Sequence, residues 1–173
     1  MKSPKSNDGF SLIELILVVT IVGVLAAIAV PNLLSSRRSA NEAAALSAIR
    51  TISTGQETYR VTAGGGNFGD LAALAGMNFI DDGVGKATIA GPGKPRTGYL
   101  FSAEPVGGLG LPAFDAKSQA FLHTSVDLLF ATGTRSFYVN EGGIMYFNTS
   151  DTAPTCSADD LRAVADGTVL NRN

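Results

Sequence analysis

A single long apolar run near the N-terminus constrains this chain more than any other feature. The run covers residues 10–34, and of its 25 residues 19 are apolar and only Glu14 is charged. As a helix it would be roughly 37 Å long, enough to cross a hydrocarbon core of about 30 Å. The other 148 residues contain no second run of this kind. The sequence therefore predicts one N-terminal membrane segment that carries one globular domain.

The charge and cysteine content of the chain exclude several classes of protein. The net charge is −2 and charged residues make up 16% of the chain, against roughly 25% in a typical soluble domain. Neither an intrinsically disordered chain nor a basic nucleic-acid-binding domain has this balance. Cys156 is the only cysteine, which excludes an intrachain disulfide and a multi-cysteine zinc site.

Two ordinary interpretations of the apolar run are a signal anchor and a cleaved secretory signal peptide. Lys2 and Lys5 would form the basic region of a signal peptide, and residues 27–29, Ala-Ile-Ala, resemble its cleavage site. The run is longer than the usual apolar region of about 7–15 residues. A signal peptide also gives no reason for Glu14 at the front of the run.

The residues at the start of the run favour a third interpretation. The junction between the polar leader and the apolar run reads Gly9-Phe10-Ser11-Leu12-Ile13-Glu14. This junction resembles the prepilin motif of type IV pilins and of the pseudopilins of type II secretion. The resemblance covers about the first 55 residues strongly and the rest of the chain only in outline.

The resemblance implies that the N-terminus is processed. A membrane peptidase would cut after Gly9 on the cytoplasmic side and then methylate the new N-terminal residue, Phe10. In the family, the amine of one subunit pairs with the glutamate of its neighbour, here Glu14, and so registers an incoming subunit.

Glu14 needs a partner on energetic grounds as well. A carboxylate within an apolar membrane helix costs about 2.5–3.5 kcal/mol, so such residues normally face a partner. Cleavage would create a positive charge at the same membrane depth, on Phe10. The residues alone leave open whether Glu14 pairs with the amine of its own helix, four residues away, or with that of another copy.

The helical pattern continues beyond the apolar run. Pro31 lacks a backbone N–H and predicts a kink in the helix. After it, apolar residues recur every three to four positions to about Val61, and charged residues such as Glu42 fill most of the remainder. This pattern predicts an amphipathic helix that packs against a sheet.

A glycine-rich segment separates the helix from the predicted strands. Residues 64–112 contain 13 glycines and 4 prolines. Gly64, Gly66 and Gly69 match the spacing G-x-G-x-x-G, but the match follows a helix rather than a strand, so we interpret it as a flexible connection. Within this segment, residues 70–76 predict one or two helical turns.

Alternating residues predict strands over 99–104, 121–128, 136–141 and 144–148. The last two flank Gly142-Gly143, the signature of a two-residue hairpin turn. Such a turn would place Tyr138 opposite Phe147, and Val139 opposite Tyr146. The tail beyond residue 150 predicts a short helix capped by Ser157, and without a disulfide it must be held by packing or stay mobile.

The predicted fold class is α+β and pilin-like. A long N-terminal helix would have a protruding apolar half and an amphipathic half packed on an antiparallel sheet of three or four strands. The predicted segments are the cleaved leader 1–9, the transmembrane and filament-core helix 10–34, the amphipathic helix 35–62, the connecting loop 63–98, the sheet 99–149 and the tail 150–173.

The sequence does not predict an enzyme, a cofactor or a metal site. His123 is the only histidine and lies in a candidate strand, and no nucleotide-binding, metalloprotease or serine-hydrolase motif is found. A nucleic-acid partner is not expected either.

The leading functional hypothesis is a pilus subunit. Its partners would be other copies of itself, the prepilin peptidase, an inner-membrane assembly platform and, before assembly, the membrane; its location would be first the inner membrane and then a surface filament. The alternatives are a type II secretion pseudopilin and a membrane-anchored or exported binding protein. Adhesion, motility, DNA uptake and secretion stay open as roles of the filament.

Overall fold

The computed structural model describes residues 10–91, 94–106, 112–120, 132–150, 152–156, 164 and 166–170. The chain divides into two compact units, Met1–Ser36 and Arg37–Asn173. Helix α1, Leu12–Thr62, supplies the described secondary structure of the first unit and continues into the second. The predicted α+β arrangement, a long apolar N-terminal helix and an antiparallel sheet, is confirmed.

In the second unit, one stripe of α1 is buried. Its members recur at spacings of three and four residues: Glu42, Ala45, Ile49, Ile52 and Gln56. The apolar members share one core with side chains of the sheet such as Phe101, Phe137 and Val139. The predicted amphipathic helix is therefore present, and its buried stripe contains two polar residues.

Two short helices follow α1 within the segment predicted as a connecting loop. Helix α2 is Leu71–Gly76, and the side chain of Asp70 caps it by accepting a hydrogen bond of 2.7 Å from Ala73 N. Helix α3 is Asp82–Lys86, capped in the same way by Asp81, which accepts from Gly83 N. The glycines of the G-x-G-x-x-G match lie in the turn before α2, where Gly65 and Gly66 have positive φ.

The sheet has five antiparallel strands in sequence order: β1 Tyr99–Val106, β2 Ala113–Ala120, β3 Ser136–Asn140, β4 Met145–Asn148 and β5 Thr168–Val169. The count exceeds the predicted three or four because the tail contributes β5, which is too short to give a sequence pattern. Strand β2 was not predicted since its sequence, AFDAKSQA, is poor in β-branched residues; pairing on both sides sustains it. The predicted strand 121–128 lies outside the described residues.

The predicted register of the β3–β4 hairpin is wrong by one residue. Tyr138 pairs with Tyr146, and Val139 with Met145. The turn contains three residues rather than two, since Gly143 N donates to Asn140 O at 2.9 Å and Gly143 has a φ of 70°. A type I turn followed by a left-handed glycine is the usual three-residue hairpin connection.

The tail is held by packing and hydrogen bonds. Ala153 and Pro154 are buried, Thr155 N donates to the carboxylate of Asp166 at 2.8 Å, and Leu170 N donates to Met145 O at 2.9 Å. Cys156 is a free thiol. The predicted helix that begins at Ser157 lies outside the described residues.

Candidate functional site

The first turn of α1 places Glu14 at the positive end of the helix dipole. Leu15 N donates to Ser11 O at 3.2 Å, so Ser11 occupies the N-cap position of the helix. Glu14 follows three residues later, which is the Ser-x-x-Glu spacing of a capping box. A carboxylate here is favoured by the dipole, typically by about 0.3–1 kcal/mol. The motif that we interpret as a processing signal is thus also a helix start.

The apolar part of α1 is fully exposed in this chain. Phe10 is 75% exposed, and the most apolar stretch of the helix, 18 residues long, has no buried residue. The helix is long and apolar enough to cross a membrane, although an N-terminal signal sequence can meet the same criteria of length and composition. An apolar surface of this extent marks a site of contact with lipid or with other protein.

Glu14 is the one charge in this surface. Within the described residues it makes no hydrogen bond or ion pair. Thr20, by contrast, donates its hydroxyl to Ile16 O at 2.8 Å and so satisfies its polar group inside the helix. Any compensation of the Glu14 charge must therefore come from outside the described residues.

The other residues of the predicted site lie in or beside the same helix. Phe10 directly precedes its first turn, and Gly9 lies outside the described residues. Pro31 is inside α1, where the helix is continuous from Leu12 to Thr62. The kink at Pro31, cleavage after Gly9, methylation of Phe10 and registration by Glu14 all stay predictions.

A second glutamate of α1, Glu42, anchors the helix within the second unit. One carboxylate oxygen accepts from Thr134 N at 2.8 Å and from the Thr134 hydroxyl at 2.7 Å. The other accepts from Arg135 Nε at 2.8 Å and pairs with its Nη2 at the same distance. Asn41, the preceding residue, donates to Thr132 O at 2.9 Å. Glu42 therefore joins α1 to the segment that leads into β3.

Hydrogen bonding keeps the Glu42 carboxylate charged. Burial raises its pKa, but the hydrogen bonds from Thr134 and the charge of Arg135 outweigh burial and hold the pKa below its ordinary value. The same segment is fixed to the sheet by Tyr99, whose hydroxyl donates to Arg135 O at 2.7 Å. Burial raises the pKa of Tyr99, so this hydroxyl stays protonated and able to donate.

The helical pattern placed Gln56 on the apolar stripe but assigned Glu42 to the polar remainder of the helix; in the structure both lie on the buried stripe that includes Ala45, Ile49 and Ile52. Gln56 is fully buried, and its amide both donates to Gly69 O at 2.6 Å and accepts from Gly69 N at 3.0 Å. The sequence signal for their burial was their spacing of three to four residues from the apolar members of the stripe. A polar residue on an apolar stripe indicates a specific buried partner.

The described residues show no group that could hold a metal ion, since no three His, Cys, Asp or Glu side chains cluster there. Cys156 is half-buried, with the Asn140 amide 3.9 Å from its sulfur. His123 lies outside the described residues.

Comparison with known proteins found one matching family model and several relatives, three of which are described below. Residues 4–30 match the family model of the prokaryotic N-terminal methylation motif. The type IV wide pilus major component of Thermus thermophilus is 40% identical over 57 residues, which are 33% of this chain and 44% of the relative. The type IV major pilin of Myxococcus xanthus is 40% identical over 53 residues, 31% of this chain and 24% of the relative.

A secretion protein matches over a similar length. The type II secretion system core protein G of Escherichia coli is 33% identical over 61 residues, 35% of this chain and 42% of the relative. The chain thus spans less than half the length of each of these curated relatives. No solved structure gives a significant match.

These matches confirm the resemblance to type IV pilins and type II secretion pseudopilins that the sequence indicated. The chain carries the N-terminal methylation motif of prepilins, followed by an exposed apolar helix that suits insertion into a membrane. The named relatives are components of pili and of a secretion system.

Proposed function

We propose that this chain is a major pilin-like structural subunit, without enzymatic activity, that polymerises into a type IV pilus filament on the cell surface. The prepilin peptidase would cleave between Gly9 and Phe10 and methylate Phe10. The subunit would wait in the inner membrane and then be added to the filament by an inner-membrane assembly platform.

One observation carries this proposal: the methylation motif leads directly into a helix with an exposed apolar surface and one charge, Glu14, that pairs with none of the described residues. Lipid would cover this surface before assembly, and the helices of other copies would cover it afterwards. The new amine of Phe10 would supply the positive charge that Glu14 needs within apolar surroundings.

A type II secretion pseudopilin is the second candidate function. The similarity to core protein G, 33% over 61 residues, favours it. The two assignments predict different phenotypes. Deleting the gene of a pilin would remove surface filaments, whereas deleting that of a pseudopilin would leave proteins that are normally exported trapped in the periplasm.

The N-terminus of the mature protein tests the shared part of both assignments. We expect intact-mass and N-terminal analysis of sheared filaments to give N-methylated Phe10. A mature chain that begins at Val30, or one that keeps Met1, would overturn both and would support an exported or membrane-anchored binding protein.

A bulky residue in place of Gly9 should leave unprocessed precursor in the membrane fraction. The cleavage site must fit into the peptidase, and a side chain at Gly9 would obstruct it. An immunoblot that shows mature-length protein from Gly9→Leu would contradict this mode of processing.

A further inference from the structure

A polar groove lies on the outer face of β1 and β2. Over β3 the outer face is closed, since Tyr138 and Asn140 are buried. Over β1 and β2 it is open and forms a cavity of about 340 Å³ between residues 89–90 on one side and residues 152–155 on the other. Its floor, hereafter the groove floor, consists of Ser102, Glu104, Lys117 and Gln119.

The polar groups of the groove floor are not used by the described part of the fold. Ser102 is only 8% exposed, yet its hydroxyl makes no hydrogen bond to any described residue. Lys117 pairs across the strands with Ser102 and lies diagonal to Glu104, but the described residues show no ion pair for either charge. Glu104 is exposed and Lys117 and Gln119 are half-buried, so the floor presents accessible donors and acceptors to an added molecule.

The chemistry of the floor indicates the class of this molecule. Lys117 only donates, the Glu104 carboxylate only accepts, and Ser102 and Gln119 do both. Sugar hydroxyls donate and accept at neighbouring positions, as such a floor requires. The opposite charges of Lys117 and Glu104 cancel, which disfavours phosphates and nucleic acids.

The walls and the volume agree with this class. Ile89, Ala90 and Ala153 provide small apolar surfaces against which the C–H face of a sugar ring can lie. The volume is at the lower end of the range of roughly 300–1,000 Å³ for ligand sites, which fits one or two rings. We propose that this groove binds a short neutral saccharide. The proposal goes beyond the filament function and does not depend on it.

The test uses the full chain in a sugar-free zwitterionic detergent, so that a failure to polymerise does not affect the result. The probes are N-acetylglucosamine, N-acetylgalactosamine, lactose and chitobiose, observed by saturation-transfer difference NMR and titrated for affinity. We expect at least one probe to bind with a dissociation constant on the order of 1 mM, as suits a small and open site.

Variants of the floor make the assignment specific. Lys117→Ala and Gln119→Ala should each weaken binding about tenfold, the usual effect of losing a hydrogen bond to a charged or buried group. Lys86→Ala is the matched control, since Lys86 is an exposed lysine on α3 that pairs with Asp82 outside the groove. Its affinity should be that of the wild type, and melting curves would verify that all variants fold.

Three outcomes would overturn the proposal. They are no binding of any saccharide probe, binding that the floor variants do not change, and binding of glycine or diglycine in place of the saccharides. The last result would identify the groove as a site for a zwitterion.

Discussion

Two of the three glutamates of helix α1 are in opposite situations. Glu42 is buried, and its oxygens receive hydrogen bonds from Thr134 and Arg135. Glu14 lies in an exposed apolar surface and, within the described residues, has no hydrogen bond or ion pair. The contrast indicates that Glu42 stabilises the fold of the chain itself. Glu14 can be paired only by a group outside the described residues. The predictions below test this division.

The largest expected effect is on assembly. Glu14→Ala should nearly abolish filaments, because each added subunit would leave a charged amine without a counter-charge in apolar surroundings, at a cost of about 3 kcal/mol. The thermal unfolding of the second unit should not change. The readout is the amount of sheared filament relative to total subunit.

Glu57→Ala is the matched control for that prediction. Glu57 is an exposed glutamate of the same helix that pairs with Arg60 at 2.9 Å, and its loss should not reduce filament yield. A normal yield from Glu14→Ala would refute the registration role, and a low yield from both variants would show that any loss of charge on α1 is harmful.

The next effect is on stability. Glu42→Ala should lower the free energy of unfolding by about 2–3 kcal/mol, since it leaves the Thr134 N–H and Arg135 without their acceptor. The Arg135 side chain is 41% exposed and can be solvated, so the loss should stay below that of a fully buried pair. Denaturant unfolding of the detergent-solubilised full chain measures it. A loss no larger than that of Glu57→Ala, about 0.5 kcal/mol, would contradict the anchoring role.

The contribution of Glu42 to stability should also depend on pH. The pKa of Glu42 is lower in the folded chain than its ordinary value of 4.5, so its contribution is complete above that value and is lost as the pH falls through the folded pKa. Wild type and Glu42→Gln should therefore differ most in melting temperature near neutral pH, and the gap should narrow below about pH 4. A gap that is constant from pH 7 to pH 3 would disprove this linkage.

The smallest effects concern two buried serines of the sheet. The Ser118 hydroxyl is buried without a hydrogen-bond partner among the described residues, whereas Ser136 donates to Ser150 O at 3.1 Å. Ser118→Ala should raise the free energy of unfolding by about 1 kcal/mol and Ser136→Ala should lower it by about as much. If both variants changed the free energy of unfolding in the same direction, the presence of a hydrogen-bond partner would not decide how these serines contribute to stability.

Local patterns allowed much of the fold to be predicted. The apolar run, the stripe at three-to-four spacing and the short helical pattern of residues 70–76 act over a few residues, and the structure has helices at these places. The hairpin prediction found β3 and β4 but not their register, because the choice between a two- and a three-residue turn depends on the φ of Gly143. Strand β2 was not predicted because its pairing with the neighbouring strands β1 and β3, rather than its own sequence, makes it a strand.

For the candidate site, too, only features of residues close in sequence could be predicted. Phe10, Glu14 and Pro31 could be identified because a motif and a periodicity are properties of neighbouring residues. The partners of Glu42 are 92 and 93 residues away in the chain, and no local pattern connects such positions. The helical pattern had assigned Glu42 to the polar remainder of the helix, so neither its burial nor its partners were predicted.

The sequence by itself determined that this chain has one long apolar N-terminal segment with a single charge, joined to a domain of ordinary composition. Those properties follow from hydrophobicity and periodicity, which every stretch of chain carries on its own. Only the tertiary structure decided that Glu42 is an anchor, that the tail closes part of the sheet and that a polar groove stays open beside it. These features arise when distant segments meet and compete for the same hydrogen bonds and the same buried surface.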